Sequence, residues 1–310
     1  MIISASRRTD IPAFFAEWFI NRIRDGHVLI RNPLNSKQIR KVPLTPDVVD
    51  CIVFWTKNPV KLLPYLPELA GYNLYFQFTL TPYGRKLEPG LPEKAQLMDT
   101  FQNLSRKTGS QKMIWRYDPI ILSKQMSVSF HEEAFAAMAE SLKGYTRHCV
   151  ISFLDFYKKI EKNLEGRGIL PFTYETMFEI AGCFARIAEN NDLTLTTCAE
   201  EIDLSSLGIA HGKCIDNDLI NRIAGRKITL EKDKTQRPLC GCVESIDIGA
   251  YNTCLHGCLY CYANSNAATT KKNCQQHDPA SGMLIGKPGK NDKVTTRKKP
   301  SFFDPQHKLF

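Results

Sequence analysis

The stretch CLHGCLYCYAN, Cys254 to Asn264, places three of the chain's 11 cysteines at C-x3-C-x2-C spacing. Three thiolates on a compact loop can each bind one iron of a cubane 4Fe–4S cluster, leaving the fourth iron without a protein ligand. An open iron is a coordination site. If the amino and carboxylate groups of S-adenosylmethionine take it, an electron can cleave the sulfonium carbon–sulfur bond and release a 5′-deoxyadenosyl radical that abstracts hydrogen. The cofactor carries that chemistry, and the protein supplies position and shelter. Cys254, Cys258 and Cys261 are the expected iron ligands, Gly257 lets the backbone turn beside them, and Tyr260 can pack near the adenine. Zinc sites prefer two close cysteine pairs and a closed tetrahedron. Here the candidates for a fourth zinc ligand are His256, Cys274 and His277.

The other cysteines divide into two groups. Cys51, Cys149 and Cys183 sit inside apolar strand or helix patterns and read as small core residues. Cys198 closes a strand-like run, whereas Cys214 and the Cys240–Cys242 pair fall in loop-like sequence. Four thiols are what an auxiliary 4Fe–4S cluster or a structural zinc requires. A cluster there would relay electrons or grip substrate, and zinc would staple the fold.

The elements that must position these residues follow a recurring grammar of short apolar run, polar end and helical segment. Runs start at Ile2, Cys51, Leu74, Met113, Cys149, Leu193 and Val243, and each suits a strand buried on both faces. Helical stretches lie between them at 14–23, 93–104, 130–142 and 174–191, the last with Met177, Ala181, Phe184 and Ala188 in one stripe. This alternation predicts an α/β fold, a parallel β/α barrel of the TIM type, closed or partial. A doubly wound open sheet is the alternative, without a GxGxxG turn to support dinucleotide binding. The run ends carry Ser6, Arg7, Arg8 and Asp10, then Thr56, Lys57 and Asn58, then Thr79 and Thr81. Arg116, Asp118, Asp155, Glu200 and Glu201 follow. In a barrel such ends converge on one rim, where active sites are built.

A chain of 310 residues with 43% hydrophobic residues can bury a large core. It shows neither a signal peptide nor an apolar run of membrane-spanning length, which predicts a cytoplasmic protein with reduced thiols. Net charge is +9, but from Lys271 onward nine Lys and Arg face three Asp, so most of the excess lies in a terminal segment. The expected organisation is a barrel over 1–264 and a partly flexible basic tail over 265–310. The body is nearly balanced, which weakens a nucleic-acid reading and leaves the tail as its only support.

From SASRRTDIP and FWTKNP through QRPLCGC and SIDIGAYNTC to CLHGCLYCYAN, the chain resembles the bacterial family called domain of unknown function 1848. Its cysteine loop is similar to that of radical S-adenosylmethionine enzymes, and CLHGCLYCYA looks like the segment in spore photoproduct lyase and its relatives. The resemblance implies an iron–sulfur protein and a radical enzyme, without naming a substrate. Such an enzyme draws electrons from a donor such as a ferredoxin or flavodoxin. Most barrels of that class carry the loop after their first strand, whereas here it follows the last. A circular permutation would reconcile the two, with Val243–Tyr251 as the first barrel strand and Ile2–Ala5 as the second. SASRRTD would then stand where those enzymes hold the methionine moiety, with Asp10 as partner for the ammonium and Arg7 or Arg8 for the carboxylate. A rim salt bridge among these residues is the plain alternative. Competing functions are a metal-stapled binding module, for RNA through the basic tail, and a barrel hydrolase using Asp118, Asp155 or Glu200.

Overall fold

The computed structural model describes residues 1–156, 158–228, 230–297 and 301–303, with the side chains of 158 and 159 left out. In chain order the strands are β1 (Ile2–Ala5), β2 (His27–Asn32), β3 (Asn35–Pro43), β4 (Cys51–Thr56), β5 (Leu74–Thr79), β6 (Met113–Ile120) and β7 (Leu122–Ser123). There follow β8 (His148–Phe153), β9 (Ile169–Leu170), β10 (Thr194–Thr197), β11 (Ala210–His211), β12 (Ile246–Asp247) and β13 (Lys293–Thr296). The helices are α1 (Ile11–Phe14), α2 (Ala16–Arg24), α3 (Lys94–Thr108), α4 (Val128–Leu142), α5 (Lys158–Leu164), α6 (Tyr174–Asn190), α7 (Asn217–Ala224) and α8 (Ala267–Cys274).

Eight strands form one parallel sheet in the order β11-β10-β8-β6-β5-β4-β1-β12. All seven runs expected as strands lie in it; β11 is the addition. The last expected strand pairs with the first, Ile3 opposite Ile246 and Ser4 opposite Asp247. The ladder ends at β11 and β12. In the chain these two strands are joined through 212–228 and 230–243, which hydrogen-bond to each other and to the sheet, as from Val243 N to Ile215 O (3.1 Å) and from Gly212 N to Thr197 O (2.8 Å).

Side-chain alternation gives the sheet two apolar faces. Ile52, Phe54, Phe76, Trp115, Tyr117 and Ile151 pack outward under the helices, in a cluster that also takes in Phe184 and Ala181 of α6. Phe135 of α4 stacks between Trp115 (centroids 4.9 Å apart) and Phe184 (3.9 Å). Ile2, Cys51, Val53, Tyr75, Ile114 and Val150 face the other way, against Cys214, Ile215, Ile220 and Val243. Two residues further along the same strands, the inner face turns polar with Ser4, Trp55, Gln77, Arg116 and Ser152. The site is built on these residues.

The helices start where local chemistry provides a cap. Ser127 accepts from Phe130 N (3.3 Å) at α4, and Thr173 accepts from Thr176 N (3.3 Å) at α6. Asp10 accepts from Ala13 N (3.0 Å) at α1, ahead of Pro12.

The segment expected as a basic tail carries α8 and β13, and β13 pairs in parallel with β3. Backbone carbonyls of Pro279, Ala280 and Ser281 accept from Asn21, Arg22 and Trp18 of α2. Met283 and Leu284 are buried. The charge count concealed these apolar anchors, which tie 265–297 to the body; the tail positions 298–300 and 304–310 lie outside the described residues. Among the described residues, no helix is long and apolar enough to cross a membrane.

Candidate functional site

A cavity of about 820 Å³ opens at the C-terminal ends of the parallel strands, where sites of α/β proteins form. Ser6, Arg7, Arg8 and Asp10 line it, as do Thr56, Lys57, Thr79, Arg116, Asp118, Asp155 and Glu200; Asn58, Thr81 and Glu201 do not. Both cysteine groups reach it: Cys254, Cys258 and Cys261 with Tyr260, and Cys198, Cys214, Cys240 and Cys242. Residues more than 240 positions apart therefore share one chamber.

The cysteine loop is clasped rather than free. Gly90 N donates to His256 O (2.9 Å) and Leu259 N to Leu87 O (3.0 Å). A Cβ on Gly90 would stand 2.6 Å from His256 O, so only glycine permits this approach. Gly257 has φ +66°, the left-handed turn anticipated for it. Asn264 Nδ2 closes the loop onto Cys254 O (2.6 Å). Burial raises the pKa of all three thiols, that of Cys258 to about 12 although Lys57 opposes the rise.

Asp10 has a different role from the ligand contact expected for it. One carboxylate oxygen accepts from Thr56 Oγ1 (2.8 Å) and Ala13 N, the other from Lys57 N (2.7 Å) and His256 Nε2 (2.8 Å). With four donors the carboxylate is saturated and has no position left for a ligand ammonium. Nor is there a salt bridge from Arg7 or Arg8 to Asp10; its partner is His256, whose ring packs edge-on to Phe14 at 4.6 Å.

Asp247, absent from the sequence-based set, is a second such hub. It accepts from Ser4 Oγ (3.1 Å), Ser6 Oγ (2.5 Å), Arg7 N (2.8 Å) and Gly249 N (3.0 Å). Ser6 Oγ thereby braces the end of β1 against Asp247. The signal for Asp247 in the sequence was a carboxylate in the middle of the seventh run, followed two residues later by glycine. Arg7 turns away to Gln236 Oε1 (3.0 Å) and Ser245 Oγ (3.1 Å), with its guanidinium 5.6 Å from the Trp55 ring. Arg8 lies over Tyr251 at 5.2 Å, with Asp247 at 3.9 Å. Of the two arginines of SASRRTD, Arg8 has the looser hold, donating to Gly249 O at 3.5 Å and lying 3.9 Å from Asp247, and it lines the chamber.

Tyr260 lines the cavity, and its hydroxyl is bound to Glu88 and to Lys57 Nζ (2.9 Å). The buried Glu88 also takes Lys57 (2.7 Å), Lys94 and Thr81 Oγ1 (2.9 Å). This paired network holds the carboxyl down to about 2 against the opposing effect of burial, and it sits beneath the cysteine loop. Glu88 too was missed, being in a turn with no periodic pattern. On the far wall, Asp118 accepts from Arg116 Nε (3.0 Å) and Ser152, and burial beside Asp155 and Asp118 lifts Glu200 to about 8.

Cys274 and His277, proposed as zinc ligands, lie outside the chamber; Cys274 donates to Thr253 O (3.2 Å) and His277 Nδ1 meets Leu284 O (2.8 Å). Cys51, Cys149 and Cys183 are buried core residues. Among the described residues, no three Cys, His, Asp or Glu side chains surround one ion position. A cubane does not require that, because each thiolate takes a different iron. The Cys254–Cys258–Cys261 set fits such a group: three thiols on one clasped loop facing a chamber, with the neighbouring His256 Nε2 already engaged.

A family model matches residues 2–263, nearly the whole described body. The chain belongs to the family described as domain of unknown function DUF1848. The matched region contains every strand of the main sheet and all seven cysteines of the chamber. No curated protein matches the chain.

Proposed function

We propose that this DUF1848 protein is a radical S-adenosylmethionine enzyme whose 4Fe–4S cluster is held by Cys254, Cys258 and Cys261. The observation that carries the reading is the placement of those three thiols in one chamber with the strand end at Arg8. The adjacency of β12 and β1 supports the permuted order, in which the strand before the cysteine loop neighbours the strand before SASRRTD. A partial barrel formed by the eight parallel strands and the 212–243 segment completes the architecture.

When bound, the cubane supplies an iron without a protein ligand and the electron that cleaves S-adenosylmethionine to a 5′-deoxyadenosyl radical. This chain's residues do the positioning. Arg8 meets the methionine carboxylate by charge-assisted hydrogen bonding. Asp10 fixes His256 and with it the loop backbone, while Lys57 and Lys94 set positive charge near Cys258. Glu88 holds the hydroxyl of Tyr260, so the ring stays fixed at the chamber wall. Asp118, Ser152 and Glu200 face the substrate, and a ferredoxin or flavodoxin supplies the electron.

Anaerobic incubation with iron, sulfide, dithionite and S-adenosylmethionine tests the reading. The wild-type chain should release 5′-deoxyadenosine and the Cys258→Ala variant should not. Equal release from both, or none from a wild type that holds its iron, overturns the assignment.

A further inference from the structure

The chamber has a second group of thiols with an environment of its own. Cys198 Sγ lies 3.4 Å from Cys214 Sγ, and Cys240 and Cys242 line the same chamber close enough to couple electrostatically to Cys214. They come from three separate segments: the end of β10, the stretch after β11, and the C-x-C before β12. Thiols packed as small apolar residues need no polar donors. These have strong ones. Arg116 donates to Cys214 Sγ (2.9 Å), and the amide of Ile215 donates to Cys242 Sγ (3.3 Å). Arg7 adds a second guanidinium whose charge couples to Cys242 and Cys214.

Trp55 separates the two cations, with Arg7 5.6 Å and Arg116 5.2 Å from its ring, and its indole Nε1 is buried without a partner among the described residues. The backbone at Cys214 is pinned from the sheet, its carbonyl accepting from Tyr75 OH (2.6 Å) and Gln77 Nε2 (2.9 Å). Gln77 also accepts from Arg116 (3.1 Å), so one side-chain network fixes both the cysteine and the cation that faces it. Such donors orient metal ligands and tune thiolate sulfur.

We propose that Cys198, Cys214, Cys240 and Cys242 form a second metal centre, a four-thiolate site in the same chamber as the cysteine loop. Either a single zinc ion or a 4Fe–4S cubane with four thiolates makes a dianionic centre, and the two guanidiniums match that charge. Cys198 and Cys214 are already in contact, and side-chain rotation at Cys240 and Cys242 would bring the four sulfurs around a metal. The site shares the chamber with the loop of the proposed function but does not depend on it, since its thiols, cations and segments are separate.

Metal and sulfide analysis of the chain with Cys254, Cys258 and Cys261 all replaced by Ser tests the proposal without any assay of activity. The folded variant should retain about four irons with equal sulfide, or about one zinc without sulfide. Both outcomes support a metal centre at the quartet and distinguish its two fillings. A folded variant holding no metal overturns it. In the otherwise intact chain, Cys240→Ser with Cys242→Ser should lower bound metal by that same complement, which keeps the test open should the triple variant not fold. Unchanged metal content after that pair of substitutions also overturns the proposal. Loss of the loop's iron with the quartet's metal retained would separate failure of one site from failure of the other.

Discussion

His256 Nε2 lies 2.8 Å from Asp10 Oδ2, joining the cysteine loop to the end of the first strand across 246 residues. The carboxylate also holds Thr56, Lys57 and the start of α1, so one side chain ties three elements of the chamber together. A buried carboxylate so fully paired acts on the loop and not on a ligand.

Asp10→Ala should therefore lower iron content by at least half, since the His256 ring and the Lys57 amide lose a buried partner. Each orphaned group costs about 1–3 kcal/mol, so stability should fall by about 3 kcal/mol or more. Asp10→Asn keeps the acceptor oxygen and should retain more of both. Iron analysis and urea unfolding report the two quantities. Wild-type iron and stability in the alanine variant would refute the positioning role.

Gly90→Ala should displace the cysteine loop, because the added methyl would meet the His256 carbonyl at 2.6 Å. Bound iron is expected to drop severalfold while the helical circular dichroism stays near wild type. Gly84, where an added Cβ meets nothing within 4 Å, is the control position, and Gly84→Ala should leave iron unchanged.

Arg8→Ala tests the contact assigned to the methionine carboxylate. Affinity for S-adenosylmethionine should weaken by about tenfold, roughly 1.4 kcal/mol, with iron content unchanged. Calorimetric titration of reconstituted protein measures this. Equal affinity in both proteins moves the carboxylate contact elsewhere.

His148 gives stability a pH dependence of known sign. Burial, with Arg116 and Arg222 nearby, lowers its pKa from 6.5 to about 4. Above pH 6.5 both folded and unfolded imidazoles are neutral and the group contributes no slope. As pH falls from 6.5 towards 4, the unfolded chain binds a proton that the folded chain refuses. Stability is lost over that window by roughly 3 kcal/mol from this residue. Unfolding free energies at pH 7.5, 5.5 and 4.5 should show a shallower fall in His148→Gln than in wild type, and parallel curves would refute the assignment.

Much of this was legible in sequence because it is local. Apolar runs bounded by polar residues gave seven of the eight strands of the main sheet. The triplet loop announces itself by spacing alone. β11 was too short to show a period, and β2, β3 and β13 are mostly half-buried or exposed, so they lack the pattern of a strand buried on both faces. Strand–helix alternation could not fix the role of any rim residue, since a carboxylate at a strand end looks the same whether it is saturated or open.

The sequence by itself determined seven strands of the main sheet, the longer helices and the polar rim, because each follows from the chemistry of neighbours a few residues apart. Only tertiary structure decided that Asp10 is bound to His256, that Arg7 turns to Gln236 and Ser245, and that four cysteines spread over 45 positions line one chamber. Those outcomes depend on which strands lie side by side and on donors supplied from distant segments. No local pattern encodes them, because the energy of a buried hydrogen bond or ion pair exists only once folding has removed water from both partners.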